Sequence, residues 1–171
     1  MNAARPRIRV MFLSFFGIFC LSQNRCATPF GPDDQRPVRF SVHPGYSVKG
    51  SFVESGPTTW LVFDDKAGFD AVLYWISDHN PHEPIPDGDF QSKIFPVVIK
   101  KGNSYWEITA DRVCYVQADK TLHVYYRAIK VADDMSWVAA IPLVVSIQAV
   151  DYSSVSFYEN GDLVGSVTAA R

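Results

Sequence analysis

Val155-Ser156-Phe157-Tyr158-Glu159-Asn160-Gly161-Asp162-Leu163-Val164-Gly165-Ser166-Val167 is the stretch on which the fold reading turns. Two runs rich in Val, Phe and Tyr flank Asn160-Gly161. Both turn residues tolerate the positive φ of a type I′ turn, so the segment reads as a β-hairpin. Working outward, residues 113–117 and 122–128 flank Ala118-Asp119-Lys120, a second short hairpin connection. Residues 38–42 alternate apolar and polar, as a half-buried strand does. Residues 46–53 and 58–63 read as further strands between His43-Pro44-Gly45 and Gly56-Pro57 turns. Lys101-Gly102-Asn103 turns the chain into Tyr105-Trp106-Glu107-Ile108, and residues 140–147 form a long apolar strand. Residues 94–99 are apolar on both faces and predict a central strand. Pro96 cannot donate to a ladder, which points to a bulge there. One helix is expected over about 65–77: Asp64 or Asp65 caps it, and Phe69, Val72, Leu73 and Ile76 share one face of a 3.6-residue period. The expected class is α+β, mainly β: a twisted, mostly antiparallel sheet or partly open barrel with one packed helix.

The N-terminal segment differs in kind. Arg5, Arg7 and Arg9 precede the twelve apolar-rich residues 10–21, and no acid occurs before Asp33. A bilayer-spanning helix needs roughly 20 residues, so the stretch fits a secretory signal's hydrophobic region. Residues 1–27 are therefore expected to be a signal peptide cut after Ser22 or after Ala27. Residues 28–37 then form a flexible leader, and 38–171 a single β-rich domain. Such a chain is exported to the periplasm, cell envelope or exterior, and meets a membrane only through the signal peptide. The two cuts treat cysteine differently. A cut after Ser22 leaves Cys26 and Cys114, which can pair in an oxidising compartment, stabilising by roughly 4–5 kcal/mol in the chain-entropy model. A cut after Ala27 leaves Cys114 alone as a buried strand thiol, the reading preferred on sequence. Four of the sixteen basic residues and none of the eighteen acids precede Thr28, so a chain starting there carries a net −6. That balance argues against nucleic acid as a partner.

Chemistry-bearing residues are sparse. Asp78-His79-Asn80-Pro81-His82-Glu83 holds two imidazoles beside carboxylates, a conceivable set of metal ligands. His79 and His82 lie in a proline-broken loop, however, where a solvated turn is the simpler reading. Asp87-Gly88-Asp89 is a fragment of a calcium loop without the later glutamate. Cys114 and His123 face each other across the central hairpin, but a nucleophilic thiol needs solvent access. No Gly-x-Ser-x-Gly elbow and no glycine-rich phosphate loop occurs. No catalytic residue, metal ligand or cofactor is assigned. The aromatics carry more: Tyr105, Trp106, Tyr125 and Tyr126 place one ring of each pair on each face of a sheet. One helix covers one face only, so these four are the candidate partner-binding residues.

Residues 59–157 resemble the PrcB-type domain, named for a lipoprotein that stabilises a secreted protease complex. The likeness rests on a strand and helix (60–76), on Pro86-Asp87-Gly88-Asp89-Phe90 and on Val97-Val98-Ile99. It continues in Tyr105-Trp106-Glu107-Ile108, Leu122-His123-Val124-Tyr125-Tyr126, the proline-led strand 142–147 and Val155-Ser156-Phe157. The family's double glycine is replaced by Asn103-Ser104, and its helix tryptophan by Phe69 or Trp75. The resemblance implies a non-catalytic domain that binds or stabilises another protein. Two other readings stand beside it. One is a β-barrel-like binder of a small ligand, and the other a metal-dependent enzyme using the His79/His82 loop.

Overall fold

The strand Lys93–Gly102 is buried on both faces from Ile94 to Lys100, and the layers of the fold follow from that. The computed structural model describes residues 35–53, 55–76, 81–133 and 135–169. In chain order these form β1 (Gln35–Val38), β2 (Phe40–Val42), β3 (Tyr46–Val48), β4 (Thr58–Phe63), helix α1 (Lys66–Val72) and β5 (Leu73–Trp75). A 3-10 turn (Asp87–Gln91) precedes β6 (Lys93–Gly102), β7 (Tyr105–Val116), β8 (Thr121–Ala132), β9 (Ala139–Gln148), β10 (Ser154–Glu159) and β11 (Asp162–Thr168). The class is α+β, mainly β. The strands form a five-stranded sheet ordered β1-β7-β8-β10-β11, a four-stranded sheet ordered β2-β9-β6-β4, and the small ribbon β3-β5. Pairing is antiparallel except between β8 and β10, which run parallel. The sheets do not close into a barrel.

Two hydrophobic clusters define three layers. Ile94, Val98, Leu143, Val145 and Ile147 of the four-stranded sheet pack against Val113, Leu122, Val124, Tyr126, Val155 and Phe157 of the five-stranded sheet. On the other face of β6 and β9, Phe95, Val97, Ile99 and Val144 pack against Phe69 and Val72 of α1 and Leu73 of β5. The period-2 alternation of β6 thus feeds two cores at once. Pro96 sits opposite Val62 with no shift of register, so no bulge forms there. On the β9 side the pairs run from Ile94↔Ile147 to Val97↔Val144 in one register.

Three further expectations change. The helix begins as predicted, Asp65 Oδ1 accepting from Gly68 N at 2.7 Å, but it ends at Val72. Tyr74 and Trp75, bulky side chains suited to extended backbone, instead pair with Ser47 and Tyr46 in β5, and Ile76 is exposed. The predicted strand 38–42 is two strands in different sheets, parted at Arg39. Gln35, Arg36 and Pro37, read as leader, pair with Val116, Tyr115 and Cys114. The Asn160-Gly161 hairpin forms as read, with φ of 53° and 100°.

β11 closes over β4. A Cβ on Gly165 meets the Trp60 ring at 2.6 Å, closer than any ordinary contact. Gly165→Ala is expected to cost about 1–3 kcal/mol by overpacking, measured by denaturant unfolding. A variant as stable as the parent contradicts this packing.

Candidate functional site

The four sequence-predicted rings separate. Tyr126 lies in the core, 1 % exposed. Its hydroxyl donates to Glu159 Oε2 at 2.9 Å and accepts from Trp60 Nε1 at 3.3 Å. Burial holds its phenol well above the usual range, assisted by the Glu159 carboxylate. Glu159 also pairs with buried Lys100 at 2.6 Å, whose ammonium lies 4.6 Å from the centre of the Trp106 ring. Trp106 packs against the same core. Both Tyr126 and Trp106 are thus committed within the fold.

Tyr125 and Tyr105 lie on the opposite, outer face of the five-stranded sheet. No layer of the described residues covers that face. Tyr125 is 7 % exposed and stacks on Tyr158, ring centres 4.5 Å apart at 19°. The Arg112 guanidinium sits 4.1 Å from the Tyr125 ring centre. A break in the β7 register sets this up. Ala110 pairs with Tyr126 but Arg112 with Tyr125, so Asp111 is bulged out and Arg112 is turned outward. Asp111 bonds Arg127 Nε at 2.9 Å.

Three polar atoms on this face are buried and find no hydrogen-bond partner among the described residues: Arg112 Nε, Tyr125 Oη and His123 Nδ1. His123 pairs in register with Cys114 and lies 5.1 Å from the Tyr158 ring. Leaving a buried donor or acceptor unpaired costs about 1–3 kcal/mol each, more for a charged group. Burial pushes the Tyr125 phenol up, partly offset by the Arg112 charge. An open cleft of about 330 Å³ adjoins them, lined by Asp111, Arg112, Tyr125, Tyr126, Arg127, Asn160 and Gly161.

Further along the same hairpin, residues 105–110 and 127–132 run on as a ribbon. β1 and β10 pair only with residues 113–116 and 121–126. Its end carries exposed Tyr105, Ile129 and Val131, with Trp137 and Val138 in the connection that follows. Met135 N donates to Asn103 O at 2.7 Å, holding that connection beside the start of β7. Sequence reasoning missed Arg112, Tyr158, Ile129, Val131 and Val138, and weighed His123 only as a base for Cys114. The signal for Arg112 was Asp111-Arg112, two charges interrupting the alternation of β7. The signal for Ile129 and Val131 was the period of β8, which puts Tyr125, Arg127, Ile129 and Val131 on one face.

The remaining candidates carry less. His79 lies outside the described residues, and no group of three metal-ligating side chains occurs among those described. Asp89 bonds Lys93 at 2.7 Å, and Asp87 lies 3.7 Å from Lys66 Nζ, so both acids of the calcium-like fragment face cations of the chain itself. Cys114 is disulfide-bonded, which overturns the lone-thiol reading and removes it as a nucleophile; the other cysteines, Cys20 and Cys26, lie outside the described residues. No family model, curated protein or solved structure matches the chain.

Burial lowers the pKa of His123, against an opposing pull from Asp119. Burial lowers His43 too, with help from Lys93 and opposition from Asp89. Both rings are therefore favoured neutral in the folded state. Their contribution is fully present above the unfolded histidine value of about 6.5 and is lost as pH falls below it. Denaturant midpoints are expected to drop across that range, and less steeply in His123→Gln. A midpoint that is flat or rises on acidification contradicts the assignment.

Proposed function

We propose that this is an exported, non-catalytic domain that acts by binding a partner protein through the outer face of the β7–β8 ribbon. One observation carries the reading: Tyr105, Ile129 and Val131 at one end of the hairpin, and Trp137 and Val138 in the connection that follows it, are each 48 to 62 % exposed. Single exposed apolar residues are ordinary, whereas a group of large ones on one surface is characteristic of protein contacts. Tyr and Trp are also the residues that most often anchor such contacts. The PrcB-like resemblance points the same way. The rival small-ligand reading asks for an enclosed apolar cavity, whereas the cleft beside Arg112 is open and lined by charge.

Export rests on the basic start and short apolar stretch of residues 1–27. The Cys114 disulfide supports a cut after Ser22, because removal through Ala27 would take away both possible partners within the chain. Cleavage after Ser22 retains Cys26. Mapping of the exported protein is expected to find Gln23 at its start and Cys114 protected from alkylation until reduction. A free Cys114 thiol, or Met1 still attached, overturns this part.

The binding claim is tested by comparing the tagged parent with the double variant Ile129→Ser/Val131→Ser and with Trp137→Ala, all shown folded by circular dichroism. The parent is expected to retain a stoichiometric partner from the envelope fraction that both variants lose. No stoichiometric partner, or equal retention by the variants, contradicts it.

A further inference from the structure

We infer that residues 26–34 form a strap, bonded to Cys114 through Cys26, that lies across the outer face of the five-stranded sheet over His123, Tyr125 and Tyr158. Cys114 is disulfide-bonded, and the register puts its side chain on that face. Val113, Leu122 and Val124 point into the core, while Cys114 pairs with His123 on the other side. A disulfide holds its two Cα atoms within about 7 Å of each other. The other cysteines of the chain are Cys20 and Cys26, and Cys26 is the one that remains after a cut following Ser22. The choice of Cys26 rests on that cut, as proposed above.

Burial on this face points to a cover. No layer of described residues lies over it, yet Cys114 is 0 % exposed and Tyr125 7 %. The buried side-chain atoms Arg112 Nε, His123 Nδ1, Tyr125 Oη and Gln35 Oε1 all belong to it, Gln35 standing opposite Val116 on the edge strand β1. Long polar side chains on an uncovered edge keep their polar ends in water. Cys114, Tyr125 and Tyr158 form a small apolar cluster of their own, apart from both cores. Such satellite clusters usually lie beneath a long loop.

Length sets the path. Gln35 begins β1 opposite Val116, two residues along β7 from Cys114. Both ends of residues 26–34 are thus pinned to one short stretch of β7, whereas nine residue steps reach about 30 Å when extended. The slack arches out over the sheet, and burial at His123 and Tyr125 puts it on the β8 side. The composition of Ala27-Thr28-Pro29-Phe30-Gly31-Pro32 suits this. Phe30 supplies one ring to meet the Tyr125–Tyr158 stack, and the two prolines bring no N–H that would be left unpaired. The strap stops short of the ribbon end, where Tyr105, Ile129 and Val131 stay exposed. It therefore bounds the surface open to a partner protein and does not compete for it.

The test uses the intact exported protein. Non-reducing digestion and mass mapping are expected to recover Cys26 joined to Cys114. Hydroxyl-radical labelling then compares the parent with Cys26→Ser and Phe30→Ser, each shown folded by circular dichroism. Labelling of Tyr125 and Tyr158 is expected to rise at least threefold in Cys26→Ser and by less in Phe30→Ser, with Tyr105 and Tyr74 unchanged. Where a variant fails to fold, the oxidised parent decides alone: nuclear Overhauser contacts are expected between the Phe30 ring and Tyr125 or Tyr158. Unchanged labelling of those two rings, or the absence of those contacts, overturns the strap even where Cys26 is joined to Cys114, and leaves the cut after Ser22 standing. Cys114 joined to Cys20 instead overturns that cut, and with it a strap anchored at Cys26.

Discussion

Burial of both faces of β6 is the constraint from which the remaining layers follow. A strand apolar on both sides cannot lie at a solvent boundary, so the four-stranded sheet must be the middle layer. The helix and the β3-β5 ribbon cover one side of it. The five-stranded sheet covers the other and turns its own second face outward. The exposed Tyr105, Ile129 and Val131 lie on the face of β7 and β8 that the middle layer does not use.

The two faces of β8 treat polar groups in opposite ways. Inside, every polar atom of the cluster is engaged: the Tyr126 hydroxyl with Glu159 and Trp60, and Glu159 with Lys100. Removing one partner from such a buried pair typically costs about 3–5 kcal/mol, because the other charge is stranded. Outside, Arg112, Tyr125 and His123 each keep a buried atom unmatched. The fold thus satisfies its polar groups in the core and leaves some unmatched on the outer face of the five-stranded sheet.

Much of the fold was legible in the residues, because strand signals are local. The Asn160-Gly161 turn, the 118–120 connection and the central position of residues 94–99 all follow from turn chemistry and period-2 burial. The length of the helix did not, because its period from Phe69 to Ile76 is also met by a short helix followed by a strand. What decides is β3, a tertiary partner that local pattern does not reveal. The candidate site was half legible. Tyr105, Trp106, Tyr125 and Tyr126 were correctly placed on opposite faces, but alternation alone cannot say which face is the core. Arg112 was hidden because its outward direction comes from a bulge, visible in sequence only as a pair of charges out of phase.

The central claim is that the outer face of the β7–β8 ribbon is covered in the protein's working state. Oxidative footprinting of Tyr105 and Trp137 in intact envelopes, compared with the purified protein, addresses it directly. The account predicts strong protection of both rings in the envelope while Tyr74, on the β3-β5 ribbon, is labelled equally in the two states. Equal labelling of Tyr105 and Trp137, or protection confined to Tyr74, would contradict it.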